Sequence, residues 1–80
     1  MLEQLKTAKK LVGVKQLRKA LDRGDVLRVF LAQDADPFLL NPIEEACTQQ
    51  SIPVCRVSSM QELGKACGIS VGSACAAIVR

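Results

Sequence analysis

A glycine that leads into a short, basic, amphipathic segment is the part of this sequence best suited to binding an anion. Gly13 is followed by the segment Val14–Arg23, which is rich in lysine and arginine. Glycine can adopt backbone angles that a side chain forbids, so Gly13 suits a turn that delivers a helix. The first turn of a helix presents backbone N–H groups without intrahelical acceptors, and these groups favour anions.

The segment has an apolar side and a polar side when it is placed on a helical wheel at about 100° per residue. The apolar side is formed by Val14, Leu17 and Leu21. The polar side is formed by Lys15, Gln16 and Lys19. One side can therefore pack on a core while the other reaches phosphate oxygens or base edges of a partner. An ordinary solvated helix face is the alternative, since most surface helices have a charged side.

Composition predicts one small domain, residues 1–80, with an uneven charge. The chain is 49% hydrophobic, which is enough apolar material for a core, and its net charge is +3. Up to Arg28 it has eight basic and three acidic residues, giving +5, whereas the remainder has three basic and five acidic residues, giving −2. A basic end on a compact domain suits a polyanion. With two Phe and no Trp or Tyr, a surface of aromatic stacking platforms is not expected.

The residue composition does not favour a catalytic site or a metal site. The chain has no histidine, the commonest general base and metal ligand. Its four cysteines, Cys47, Cys55, Cys67 and Cys75, lack the close paired spacing of a zinc site and are expected to be buried free thiols. Asp34 and Asp36 have no further carboxylates nearby that would complete a hard-metal site. We expect no catalytic residues, no metal and no cofactor.

No membrane or secretion signal is expected from the apolar pattern. The sequence contains no run of eighteen or more apolar residues, and its N-terminus alternates polar with apolar residues. The expectation is a soluble cytoplasmic protein.

The first half of the chain alternates short helical and strand patterns. A helix is expected from Leu2 to about Lys9, and Leu11–Val12 is expected to be a very short strand. The basic helix should end near Arg23, with Gly24 as its C-terminal cap. Val26–Ala32 is almost continuously apolar, which is typical of a strand covered on both faces at the centre of a sheet.

In the second half, start signals place two further helices. Asp36 before Pro37 is one such signal, and Asn41 before Pro42 repeats it, so we expect a helix over Pro42–Gln50. A short strand is expected at Val54–Val57. Ser59 should cap a helix with Glu62 at the reciprocal position.

The end of the chain combines a loop with an apolar strand. Ile69–Gly72 predicts a loop whose two apolar side chains either face the core or remain available to a partner. Ser73–Val79 is small and apolar throughout, as in a strand packed closely between helices. Helices alternating with strands predict an α/β fold with a mixed, largely parallel sheet and helices on both faces.

Four stretches in this order and spacing give the chain its resemblance to a known family. They are Gly13–Leu21, Ala32–Pro37, Glu62–Gly68 and Ile69–Gly72. The chain resembles the kink-turn RNA-binding ribosomal proteins, the L-seven-Ae family, and among them the short bacterial members of the YbxF type. The resemblance implies a three-layer α/β/α sandwich around a four-stranded mixed sheet. It also implies binding to ribosomal or structured leader RNA at a sharp bend where a bulge adjoins sheared G·A pairs.

The resemblance also implies which positions of this chain would contact the RNA. Lys15, Gln16 and Lys19 would meet guanine edges and nearby phosphates, because a kink can open the otherwise narrow RNA major groove. The remaining implied contacts are close backbone approach at Gly13 and Val14, phosphate contacts by Arg18 and Lys10, and cover for bulged nucleotides by Ile69, Ser70 and Val71. The chain departs from the family pattern at two places: archaeal members usually carry Asn-Glu where this chain has Lys15 and Gln16, and many relatives have an acidic residue where it has Ser70.

Two other functions remain open beside that of a monomeric, non-enzymatic ribonucleoprotein component. The same fold can serve as a protein–protein interaction module, with the apolar loop and the acidic second half as its contact surface. An enzyme is the third alternative, although the chain shows no recognisable catalytic set.

Overall fold

The computed structural model describes Leu5 and residues 9–80. Residues 9–80 form four strands, β1 (Lys10–Val12), β2 (Val26–Ala32), β3 (Val54–Val57) and β4 (Cys75–Val79), and three helices, α1 (Val14–Arg23), α2 (Pro37–Gln49) and α3 (Met60–Ala66). The helix expected from Leu2 to Lys9 lies largely outside the described residues; Leu5 itself is helical and fully buried.

The four strands form one mixed sheet in the order β1-β4-β2-β3. β2 lies inside the sheet, as its continuous apolar sequence predicts. The expectation of a largely parallel sheet is wrong, because only the β2–β3 pair is parallel and β4 runs antiparallel to both of its neighbours. β1, β2 and β3 all run in one direction, and β4 inserts between β1 and β2 from the opposite end.

Helices cover both faces of this sheet, so the three-layer α/β/α sandwich is confirmed. Consecutive residues of β2 from Val29 to Ala32 are buried, as are all five residues of β4. Side chains alternate between the two faces of a strand, so consecutive burial requires cover on both faces. α1 packs beside α2, and α3 packs against β2, β3 and β4.

The boundaries of α1 and α3 follow their sequence signals. Gly24 closes α1 in the left-handed conformation, with φ +72°, and its N–H donates to the Leu21 carbonyl at 3.2 Å. The Ser59 hydroxyl accepts the Glu62 backbone N–H at 3.1 Å at the start of α3. The Glu62 carboxylate does not complete a capping box in return; it accepts a hydrogen bond from the Ser58 hydroxyl.

α2 begins earlier than its second start signal indicates. The helix starts at Pro37, so Asn41 and Pro42 lie inside it and the expected cap at Asn41 does not form. Asp36 is the cap instead, and its carboxylate accepts the Phe38 backbone N–H at 2.9 Å. Pro42 removes a single hydrogen bond near the helix start, a loss that burial of Leu40, Ile43 and Cys47 outweighs.

Candidate nucleic-acid interface

One end of the sheet gathers the helix starts and the apolar loop. β1, β2 and β3 finish at this end and lead into α1, α2 and α3, and β4 begins there. We call it the helix-start end. The positive end of each helix dipole therefore lies at the same end of the molecule.

Gly13 joins α1 to the sheet at this end. Its φ of +108° belongs to a region that L side chains rarely adopt. Its N–H donates to the Cys75 carbonyl at 3.2 Å, and its own carbonyl accepts the Leu17 N–H at 3.1 Å. A Cβ at position 13 would lie 2.9 Å from Oε1 of Gln16, so the glycine also leaves room for that amide.

The start of α1 differs from those of α2 and α3. Asp36 caps α2 and Ser59 caps α3 through their side chains. Within the described part of the chain no side chain caps α1, and its first turn contains no acidic residue. Its first backbone N–H groups therefore remain available to an external anion.

The two sides of α1 match the helical wheel. Leu17, Ala20 and Leu21 are buried, and Val14 and Gly13 are half-buried. Four exposed residues form the polar face of α1: Lys15, Gln16, Arg18 and Lys19. Among the described residues the helix makes one salt bridge, Arg23 to Asp25 at 3.6 Å near its C-terminal end. The positive charge near the helix start is thus not neutralised within this part of the structure.

The apolar loop, Ile69–Gly72, does not face the core. Val71 is 68% exposed and Ile69 is 37% exposed, and Ser70 is exposed beside them. Gly68, with φ +81°, ends the turn after α3, and the Ile69 N–H donates to the Gly64 carbonyl at 3.1 Å. The loop therefore has a defined backbone but presents apolar side chains to solvent.

The loop and α1 are connected through the first residue of β4. Val71 lies four residues before Cys75, whose carbonyl holds the Gly13 N–H. The Ser73 N–H donates to the Met60 carbonyl at 3.0 Å, which fixes the intervening chain against the start of α3. The polar face and the apolar loop are consequently brought to the same end of the molecule.

Lys10 occupies a different position from the α1 lysines. It is half-buried on the edge strand β1, paired with Ile78. Burial raises the pKa of the Cys67 thiol, and the Lys10 ammonium lies close enough to oppose that shift. Lys10 is therefore the first residue of β1, three positions before Gly13, and does not belong to the polar face of α1.

Two residues near the loop were not singled out from the sequence. Gln61 and Lys65 of α3 line a cleft of about 330 Å³ together with all four loop residues. They are spaced four apart and exposed, so they share one side of the helix. That spacing was the available signal, but only the folded chain shows that the loop doubles back beside it.

Cys47, Cys67 and Cys75 are buried, as expected, and are poorly suited to nucleophilic chemistry, whereas the expectation is wrong for Cys55, which is only half-buried. Burial raises the pKa of Cys47 and of Cys67, and it raises the pKa of Cys75 to about 11. A protonated thiol is a weak nucleophile and a weak metal ligand. Among the described residues no group of three or more His, Cys, Asp or Glu side chains is placed to hold a metal ion. In the same part of the chain no helix is long and apolar enough to span a bilayer.

The fold and this surface define a small α/β sandwich protein with a basic helix start beside an apolar loop. A family model described as the ribosomal protein L7Ae/L30e/S12e/Gadd45 family matches residues 1–80, and the chain belongs to that family. The family resemblance drawn from the four sequence stretches is thereby confirmed.

Individual relatives agree with this assignment. The chain is 46% identical over 76 residues to an RNA-binding protein of Geobacillus sp. (strain WCH70), covering 95% of this chain and 93% of that protein. It is 41% identical to the RNA-binding protein YbxF of Geobacillus stearothermophilus, with the same coverage of both chains. The solved structure of the Giardia lamblia 15.5kD RNA binding protein is similar with a TM-score of 0.89 at 29% identity, covering 99% of this chain and 70% of that one.

Proposed function

We propose that this chain is a non-enzymatic RNA-binding protein that recognises and stabilises kink-turn RNA, of ribosomal or structured leader origin. The observation that carries the proposal is the placement of an uncapped, basic helix start and an exposed apolar loop at one end of the sheet, linked by the Gly13–Cys75 hydrogen bond. The relatives named above as RNA-binding proteins support the choice of RNA.

In this proposal the polar face of α1 enters the RNA groove at the bend. Lys15 and Lys19 donate to guanine O6 and N7, and the Gln16 amide offers both a donor and an acceptor. Arg18 and Lys10 contact phosphates without reading sequence. Because Gly13 has no side chain, the RNA backbone can approach the free N–H groups of the first turn closely.

The apolar loop supplies the second half of the contact. Unpaired bases in a bulge expose apolar faces to water, and Ile69 and Val71 can cover them. The Ser70 hydroxyl adds one donor and two acceptors at the same place. Lys65 lies beside the loop in the cleft and can meet the phosphates that flank those bases.

The result of such binding is a change in the fold of the RNA. A kinked RNA in equilibrium with an extended form shifts toward the kink only by as much as the protein prefers it. No chemical step on the RNA is required, which agrees with the absence of histidine from the sequence.

The test compares two RNAs that differ only at the bend. One hairpin carries the bulge and sheared G·A pairs, and the matched hairpin replaces those pairs with Watson–Crick pairs. A gel-shift titration should show strong preference for the first, and fluorescence energy transfer between labelled RNA ends should report its bending. Equal affinity for the two hairpins would contradict the proposal.

A salt titration separates this function from a protein-interaction module on the same fold. Contacts to several phosphates release counterions, so the affinity of the RNA complex should fall steeply with salt. A mostly apolar protein interface would respond weakly, and the chain would then show no preference between the two hairpins.

A further inference from the structure

The first turn of α2 exposes an aromatic side chain that the proposed contacts do not use. Phe38 is 87% exposed and Leu39 beside it is 48% exposed, and the preceding Pro37 is exposed as well. The second phenylalanine of the chain, Phe30, is fully buried in β2. Phe38 is therefore the one aromatic ring of this sequence that a partner can reach.

The fold itself gives Phe38 no packing role. Ile43 and Cys47 define the buried side of α2. Phe38 precedes Ile43 by five residues, which places it roughly 140° around the helix, on the side away from the core. An aromatic ring held in water at a helix start does not stabilise the fold by burial.

Phe38 lies at the same end of the molecule as the polar face and the apolar loop. α1 and α2 pack side by side and both begin at the helix-start end. Near the opposite end the Gln50 side-chain amide donates to the Leu21 carbonyl at 3.0 Å, so the two helices run alongside each other. Packed helices have axes about 8–10 Å apart, and side chains tilt toward the helix start.

We propose that Phe38 stacks on an unpaired nucleobase of the RNA that α1 and the apolar loop hold, an inference that rests on the proposed function. Every base has a π face, and unstacked bases are the elements of RNA that aromatic side chains recognise. The sequence offers no multi-ring platform, so the contact is a single ring at the margin of the interface.

The nearby carboxylates favour a base over a phosphate at this position. Asp36 caps the start of α2 at Phe38, and Asp34 accepts the Met60 N–H at 2.7 Å at the start of α3. Their negative charges disfavour a phosphate beside the ring but leave the neutral face of a base unaffected. The same charges distinguish this margin from the basic start of α1.

A tryptophan at position 38 tests the contact directly. The sequence contains no Trp or Tyr, so Phe38→Trp introduces a single indole fluorophore at an exposed site. Saturation with the kink-turn hairpin should quench most of its emission through stacking on a base. Leu27→Trp is the matched control, since Leu27 is 46% exposed at the start of β2, at the opposite end of the sheet, and its emission should stay unchanged.

Affinity measurements separate stacking from a merely apolar contact. Phe38→Ala should weaken binding of the kink-turn hairpin by roughly 5- to 100-fold, and Phe38→Leu should weaken it nearly as much because it lacks a π face. Leu27→Ala should bind as the unaltered chain does. Retained affinity in Phe38→Leu, or unquenched Trp emission at saturation, would overturn the stacking contact. Pro37, Phe38 and Leu39 would then contact a protein partner or no partner. If the unaltered chain fails to discriminate between the two hairpins, the proposed function fails and this inference fails with it.

Discussion

Gly64 of α3 lies directly against the backbone of Val71, so that a Cβ at position 64 would be 2.0 Å from the Val71 carbonyl oxygen. Gly72 also packs closely, since a Cβ added there would lie 3.2 Å from the Met60 Cβ. These approaches hold the apolar loop against α3 and leave its side chains pointing away from the core. The loop conformation thus depends on position 64 of the neighbouring helix having no side chain.

Gly64→Ala should displace the apolar loop. The added methyl group has no space, and overpacking of this kind costs about 1–3 kcal/mol of the free energy of unfolding. Urea unfolding should show that loss, and the affinity for kink-turn RNA should fall with it. Gly24→Ala is the matched control, because an added Cβ there meets no atom within 4 Å and only the backbone strain of φ +72° remains. The control should lose about 1–2 kcal/mol of stability and keep its RNA affinity.

Lys19→Ala and Gln16→Ala should each weaken RNA binding by about 1–3 kcal/mol if these side chains reach base edges. Both residues are exposed, so the free energy of unfolding should change little. Arg23→Ala serves as the control on the same helix, since Arg23 pairs with Asp25 away from the helix start. Isothermal titration with the kink-turn hairpin measures all three variants. An equal, small effect in each would indicate a diffuse charge contribution and contradict base contact.

Val71→Ser should reduce RNA affinity without reducing stability. The side chain is 68% exposed in the free protein, so under the proposed function its apolar surface would be buried only when RNA binds. The lost burial is worth about 1 kcal/mol of binding free energy. Leu27→Ser, at another exposed apolar position, on β2 and 46% exposed, should leave RNA affinity unchanged. A variant at Val71 that binds as tightly as the unaltered chain would remove the loop from the interface.

Stability should fall in alkaline solution as the Cys75 thiol titrates. Burial raises its pKa from 9.0 to about 11 in the folded protein, so the unfolded chain loses this proton at a lower pH. The protonated Cys75 thiol therefore makes its full contribution to the free energy of unfolding below pH 9, and that contribution is lost as the pH rises toward 11. At pH 10.5 the unaltered chain should lose about 2 kcal/mol relative to its value at pH 7, beyond any loss in Cys75→Ala. Urea unfolding under reducing conditions at both pH values checks this, and parallel losses in the two proteins would contradict it.

Local sequence signals predicted the elements whose causes are local. The spacing of Leu17 and Leu21 gives α1 its buried side, and Gly24 ends the helix because glycine adopts the left-handed conformation at low cost. Ser59 caps α3 through its own side chain. The apolar run Val26–Ala32 requires cover on both faces and therefore lies inside the sheet.

Where two nearby sequence signals compete for the start of one helix, tertiary packing decides between them. Asn41 and Pro42 indicate a helix start as well as Asp36 and Pro37 do. The earlier start prevails because it allows Leu40 to join Ile43 in the core. The direction of β4 relative to its neighbours also has no local signal, since it depends on which strands it inserts between.

The sequence by itself determined the family, the α/β architecture and the polar and apolar sides of α1, since each follows from residue type and spacing along the chain. Only the tertiary structure decided that Ile69 and Val71 stay in solvent, that Lys65 lines their cleft and that Phe38 extends from the same end as α1. Exposure and adjacency depend on contacts between distant segments, such as Gly64 with Val71 and Gly13 with Cys75. No pattern within one segment specifies these contacts.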